Sequence, residues 1–205
     1  MSLDDAKKSA RAAALRRRAA AHAALKDAAP ARVMANFIAA FALRAGARVS
    51  AYWPSGSELD VRPLMEALHG RGHPIGLPIV LGRGQPLVFR RWHPGAALEA
   101  RPFGLSEPSS AAGELTPEVL LVPLLAFDRE GYRIGHGAGY YDMTLAALRA
   151  RGPVLAIGVG YAAQGVERLP RAEHDERLDG VVTEQSAMHF PRAAERKGVR
   201  AGKVS

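Results

Sequence analysis

The segment Arg133–Asp142 reads RIGHGAGYYD. Its glycines, Gly135, Gly137 and Gly139, stand at alternate positions, so the backbone can come close to a ligand and adopt positive φ. A helix opening directly after them presents unpaired N–H groups and a positive dipole end. Arg133 adds a guanidinium fork suited to phosphate. Together these make an anion cradle. The pattern is neither a Walker A loop nor a dinucleotide fingerprint, because no Lys-Ser/Thr follows and the wider glycine spacing is missing. His136, inside the loop, either meets a ligand or points to water.

Further residues carry chemistry only in combination. Asp142, in the first helical turn, either complements the helix dipole or ligates Mg²⁺ beside a bound phosphate. The run Glu173-His174-Asp175-Glu176 reads as a solvated loop unless Asp175 pairs with Asp142 as a second carboxylate. Tyr52–Asp60 follows a strand, and ligands of open α/β sheets sit at the carboxyl ends of strands. There Glu58 can accept from the amide and amine edges of a heterocycle and Trp53 can stack on it. The alternative puts Trp53 in the core and Glu58 in a capping turn. Lys7 and Arg11, four apart, share one helix face; spacing alone makes them a solvated basic face as readily as ligands.

These groups need a frame. Leu3–Lys26, rich in Ala and Arg with no Gly or Pro, predicts one long helix. Pro30 starts a second, Arg32–Leu43, closed by Gly46. Arg48–Trp53 predicts a strand, and Asp60 a cap for the helix Val61–His69. Ile75–Leu81 and Pro86–Trp92 are strand-like. The Pro/Gly/Ser-rich stretch Pro94–Gly113 predicts a loop with little regular structure. Val119–Pro123 is a continuous apolar run, the mark of a strand buried on both faces. Tyr140–Arg149 predicts a helix, and Val154–Val159 and Gly180–Thr183 two more strands. Strands alternating with helices predict an α/β sandwich around a mostly parallel sheet in one domain, residues 1–190. The basic tail, 191–205, lacks apolar periodicity and is expected to be solvated.

The bulk composition narrows the function classes. The chain has 205 residues, 48% of them hydrophobic, enough for a sizeable core. It has no cysteine, which excludes disulfides, cysteine nucleophiles and thiolate metal sites. No stretch reaches the roughly 18 uninterrupted apolar residues of a membrane span, and the N-terminus has no signal-like apolar core; a cytoplasmic protein is expected. The net charge of +8 draws anions. Its clusters are Lys7, Lys8, Arg11, Arg16, Arg17 and Arg18, and the tail. No helix-turn-helix, zinc-finger or RNP-like pattern accompanies them, so no specific nucleic-acid partner is expected.

The segment from Val122-Pro123 through Ala126-Phe127-Asp128 to Gly131–Asp142 resembles the P-x-x-A-F-D … G-x-R-L-G-x-G-x-G-Y-Y-D signature of the 5-formyltetrahydrofolate cyclo-ligase family. Lys7–Arg11 is similar to that family's N-terminal K-x-x-x-R. Pro54–Asp60 is similar to its glutamate-bearing strand end, and Gly158–Gln164 with His174-Asp175 to its G-x-x-Y/F-x-x-Q … H-D stretch. The resemblance spans about residues 3–185. It departs from the usual pattern at Leu124 and Leu125, where Gly and a small β-branched residue are common, and at Met143, where a basic residue usually stands.

The resemblance implies a three-layer α/β/α sandwich like that of the ribose-phosphate isomerase and CoA-transferase group. It implies ATP- and Mg²⁺-dependent ring closure of 5-formyltetrahydrofolate, by a monomer acting on small molecules. Lys7, Arg11 and Arg133, Ile134, Gly135, His136, Gly137, Ala138, Gly139, Tyr140 and Tyr141 would contact ATP. Trp53, Glu58 and Gly137–Tyr141 would contact folate. Arg133, Tyr140 and Tyr141 would serve the chemical step, and Asp142 and Asp175 would hold Mg²⁺. The alternatives are a phosphosugar isomerase or CoA transferase on a related frame, needing a carboxylate base or nucleophile, and a basic nucleic-acid-binding module.

Overall fold

The computed structural model describes residues 2–101 and 105–190; the basic tail lies outside the described residues. Helix α1 (Leu3–Leu25) opens on a capping box. The Ser2 hydroxyl accepts the Asp5 N–H at 3.1 Å, and the Asp5 carboxylate accepts the Ser2 N–H at 3.2 Å. Pro30 occupies the first turn of α2 (Ala29–Ala40), which ends where Phe41 turns extended. Strand β1 is only Val49–Ser50, shorter than the expected Arg48–Trp53. Beyond it the chain folds back on itself, and the Tyr52 hydroxyl donates to the Leu59 carbonyl at 2.9 Å.

Helix α3 (Arg62–Gly70) is capped at Val61, not at Asp60. The Asp60 carboxylate instead accepts the Arg62 N–H at 3.0 Å and its guanidinium at 2.8 and 2.6 Å, which moves it one position out. Strands β2 (Ile75–Ile79) and β3 (Val88–Trp92) follow. The expected loop Pro94–Gly113 is wrong in part. It holds a hairpin, β4 (Leu98–Arg101) and β5 (Leu105–Pro108), with Leu98 opposite Pro108 and Glu99 opposite Glu107. Turn residues dominate the composition there, but β5 packs beside β2, and that tertiary contact outweighs the local signal.

The remaining elements are β6 (Val119–Pro123), β7 (Ala126–Asp128), β8 (Arg133–Ile134), α4 (Tyr140–Arg149), β9 (Leu155–Val159), a 3₁₀ turn (Ala162–Gln164), β10 (Gly165–Val166), β11 (Gly180–Val182) and β12 (Ala187–His189). Seven strands form one sheet in the order β12-β11-β9-β6-β1-β2-β3. The five inner strands run parallel, and the two edge strands antiparallel. In β6, Val119 and Leu121 pack toward α2 and α3, while Leu120 and Val122 pack with Leu145 of α4. The alternation through one apolar run makes the three layers, as expected of a strand covered on both faces. No helix among the described residues is long and apolar enough to cross a membrane.

The sheet reverses direction of growth between β1 and β6. Strand β2 lies on one side of β1 and β6 on the other, so the loops leaving their carboxyl ends part and open a crevice. A small sheet, β10-β7-β8, sits beyond β6 and carries the glycine loop. Its turn is pinned by Asp128, 1% exposed. The carboxylate accepts the N–H groups of Glu130 at 2.9 Å, Tyr132 at 3.0 Å and Leu169 at 3.1 Å, so it serves the loop's shape. Gly131 (φ 86°) has no room for a side chain there: a Cβ would lie 2.9 Å from the Phe190 ring.

Candidate active site

The inward stripe of α1 is basic. Ala14, Arg18 and Ala21 are buried and Lys7, Arg11 and His22 half-buried, whereas Lys8, Arg16 and Arg17 face out. These inward positions recur at helical spacing and form one face. The two alanines let the helix lie close to what it covers.

Each inward cation has a defined seat. The Lys7 ammonium sits 2.8 and 2.6 Å from the two Asp175 carboxylate oxygens. Burial alone would raise the Asp175 pKa, but Lys7 and the Ala172 N–H outweigh it and hold the carboxyl below its ordinary value. The Arg11 Nε donates to the Gly135 carbonyl at 3.3 Å. Its guanidinium carbon lies 3.2 Å from where a Cβ on Gly137 (φ 103°) would stand. The positive φ favours glycine at 137, and the arginine packs closely against it.

Arg133 is buried under the loop, its side chain 4% exposed. It donates to Asp142 Oδ1 at 3.0 Å and to the Glu176 carbonyl at 2.6 Å. Asp142 Oδ1 also accepts the Glu176 N–H at 3.0 Å. These bonds close a ring that ties the Asp175–Glu176 loop to the first turn of α4. Gly139 (φ 72°) is the N-cap of α4 and no side chain caps that end, so its first N–H groups stand ready for an anion. Ile134 is buried against Leu125 and Ala14 and floors the loop; Ala138 is exposed at its tip.

The folate-side candidates meet the loop at Glu58. The Ser55 N–H donates to Glu58 Oε2 at 3.0 Å, so the carboxylate closes a turn ahead of α3. His136 Nε2 lies 3.8 Å and Arg18 Nη1 3.7 Å from Oε1. The Tyr141 hydroxyl is buried with no hydrogen-bond partner among the described residues. Burial first, and the Glu58 charge second, push its pKa above the ordinary phenol range. The same causes act on Tyr52. Tyr161 is pushed up to about 12, by burial and then Glu184. Near neutral pH these phenols are donors. Tyr140 is half-buried and packs with the α4-side core.

Glu58 lines a hollow of about 310 Å³ with His22, Pro54, Arg62 and Tyr161. Trp53 lines a neighbouring hollow of about 420 Å³ with Trp92 and Pro63; Asp60 and Arg62 belong to both. The Trp53 ring lies 6.2 Å from that of Trp92, with the Arg62 guanidinium 5.5 Å over it. Trp53 thus stands beside the Glu58 hollow and not within it. Leu124 is explained by packing: its methyls fill the space over Gly158 and Gly160, 2.7 and 3.0 Å from where their Cβ atoms would be. Nothing in the structure explains Met143.

Sequence reasoning missed Arg18. The sequence places it only in a cluster of basic residues, yet it is 4% exposed; its position seven residues after Arg11 is the available signal. His174 is as exposed as a solvated loop predicts, 83%. Among the described residues no group of three or more His, Cys, Asp or Glu stands together as a metal cage.

A model described as the 5-formyltetrahydrofolate cyclo-ligase family matches residues 4–184. The 5-formyltetrahydrofolate cyclo-ligase of Escherichia coli (strain K12) is 34% identical over 141 residues, 66% of this chain and 76% of that protein. The one from Mycolicibacterium smegmatis is 36% identical over 148 residues, 67% of this chain and 74% of that protein. The NMR structure of Aquifex aeolicus 5,10-methenyltetrahydrofolate synthetase superposes with a TM-score of 0.75 at 29% identity, covering 97% of this chain and 96% of that one. These matches decide against the isomerase and transferase readings. The chain belongs to the 5-formyltetrahydrofolate cyclo-ligase family, enzymes of the ligase class.

Proposed function

We propose that this chain converts 5-formyltetrahydrofolate into 5,10-methenyltetrahydrofolate with ATP as co-substrate and Mg²⁺ as metal, as a cytoplasmic monomer acting on small molecules alone. The observation that carries this reading is the convergence of α1 on the glycine loop, with Arg11 against Gly135 and Gly137 and Lys7 on Asp175. Distant segments bring cations and open N–H groups to one place, which a triphosphate needs and a tight turn does not.

In this reading the formyl oxygen attacks the γ-phosphorus and ADP leaves. N10 then attacks the activated carbon, loses its proton, and phosphate departs with the former formyl oxygen. Phosphoryl transfer depends on positioning and charge neutralisation, so no protein nucleophile is required. Lys7, Arg11 and the loop Arg133–Tyr141 hold the triphosphate. Glu58 accepts from the heterocycle, with Trp53 flanking it, and the protonated Tyr141 hydroxyl donates to the reacting end. Asp142 fits a metal: Oδ1 takes both of its hydrogen bonds, which leaves Oδ2 to coordinate. Both Asp175 oxygens are held by Lys7, so that carboxylate shares or yields its ammonium. Mg²⁺ commonly binds through one or two carboxylates plus phosphates and water, and it would neutralise charge on the transferred phosphoryl group.

The test is direct. The purified chain with 5-formyltetrahydrofolate, ATP and Mg²⁺ is expected to develop the near-ultraviolet absorbance of the methenyl product, and to lose it when ATP is omitted or the metal chelated. Protein that binds both ligands yet never forms that chromophore at any workable pH overturns the reading.

A further inference from the structure

Arg18 is a buried guanidinium that the reaction as described does not use. Its side chain is 5% exposed, and burying a charge is costly unless something compensates. The compensation is partial. Nε donates to the Ser57 hydroxyl at 3.1 Å. Nη1 lies 3.7 Å from Glu58 Oε1, too far for a hydrogen bond, and has no hydrogen-bond partner among the described residues. Burial lowers the Arg18 pKa and the Glu58 charge opposes that drop.

Arg18 does not line the hollow that Glu58 faces; it stands behind the carboxylate. The turn it touches is already closed on itself, by the Ser55 N–H to Glu58 Oε2 and the Glu58 N–H to the Ser55 carbonyl at 3.1 Å. Arg18 therefore meets a preformed turn at two points, one at each of two adjacent residues. Arg11, two turns earlier on the same helix, meets the glycine loop.

We infer that Arg18 is a positioning residue of this enzyme: it fixes Glu58 and the Ser55–Glu58 turn from behind, so that the carboxylate is held at the wall of its hollow for folate. The inference rests on the proposed function. It assigns α1 two tasks on one face, triphosphate at Lys7 and Arg11 and folate, through Glu58, at Arg18. A simple point charge does not suffice, because the two contacts come from different arms of one planar fork.

The experiment compares Arg18→Met, which keeps the stem, with Arg18→Lys, which keeps the charge. KM for 5-formyltetrahydrofolate and KM for ATP are measured on each, with the native chain alongside. The expected result for Arg18→Met is a folate KM raised about tenfold, the size of one oriented charge-assisted contact, with the ATP KM little changed. Arg18→Lys is expected to fall between Met and native. The deciding quantity is the folate KM change divided by the ATP KM change: about five or more supports the inference, and a smaller ratio overturns it. A purely structural role would move both KM values together. Should Arg18→Met fail to fold, the same ratio is read on Arg18→Lys, with about two as the dividing value. If the native chain forms no methenyl product, the proposed function fails; if it does and the ratio stays low, only Arg18 is misassigned.

Discussion

Arg133 is the residue on which the glycine-loop argument is most exposed, and replacing it with Met tests two links at once. The first is stability. The change removes a guanidinium that is 4% exposed from a carboxylate that is 26% exposed, together with a 2.6 Å bond to the Glu176 carbonyl. Breaking a fully buried pair costs about 3–5 kcal/mol; solvent on the Asp142 side reduces this to about 2–3 kcal/mol. For a domain of this size that is a Tm lower by about 4–12 °C. The second link is catalysis. Only two of the five guanidinium N–H groups are used by Asp142 and Glu176, so others remain for phosphate. Losing one charge-assisted contact of about 1.5–3 kcal/mol lowers kcat/KM for ATP by about 10- to 150-fold. Melting followed by circular dichroism reads the first; initial rates of methenyl formation at varied ATP, well below the melting range, read the second. A Tm within about 1 °C of native refutes the ion-pair argument. A normal ATP dependence with the fold intact refutes the phosphate role and leaves Arg133 as a structural strut beneath the loop.

Two further outcomes are expected. Because Lys7 and the Ala172 N–H hold the Asp175 carboxyl below its ordinary value of 3.8, its contribution to stability is fully present above about pH 4 and is lost as pH falls through the lower folded value. Asp175→Asn should therefore flatten the acid limb of a Tm-against-pH curve below about pH 4, and an unchanged limb would sink that assignment. Gly158→Ala would set a Cβ 2.7 Å from Leu124, 2.8 Å from Leu178 and 3.0 Å from Val181. Overpacking of about 1–3 kcal/mol follows, seen as a lower denaturant midpoint that Leu124→Ala in the same chain partly restores.

The inner sheet was legible because its strands are covered on both faces. Val119–Pro123 is a continuous apolar run, and its first four residues are buried as such a strand requires. The glycine loop was legible because alternate glycines carry little information except about backbone approach. The hairpin β4–β5 was not, since its residues read as turn formers and only β2 beside it makes them strands. Strand β12 escaped for a related reason: Ala187, Met188 and His189 are at most half-buried, and they are ordered by pairing with β11. The helix starts one residue later than expected, at Arg62, whose N–H and guanidinium the Asp60 carboxylate accepts. In the site, charge alone does not separate neighbours. Helical rotation turns Arg16 and Arg17 outward and Arg18 into the core, which a run of three arginines does not announce.

The topology explains why so few residues meet at one point. Chain leaving β1 continues to β2 on one side, while β6 pairs on the other. The Glu58 turn and the glycine loop therefore face each other across the crevice that divergence opens, with His136 and Glu58 3.8 Å apart. Neither loop is held by the sheet alone. Helix α1 precedes every strand in sequence and is free to lie along the crevice, and its 23 residues span about 35 Å. One rigid element thus touches the Asp175 loop with Lys7, the glycine loop with Arg11 and the Glu58 turn with Arg18. A displacement of α1 would disturb the nucleotide and folate sides together, whereas a change confined to one of its side chains would disturb one side. That separation is why a variant at Arg18 should divide from one at Lys7 or Arg11 between folate and ATP dependence, and why changes at the buried Ala14 and Ala21 that lift the helix should not.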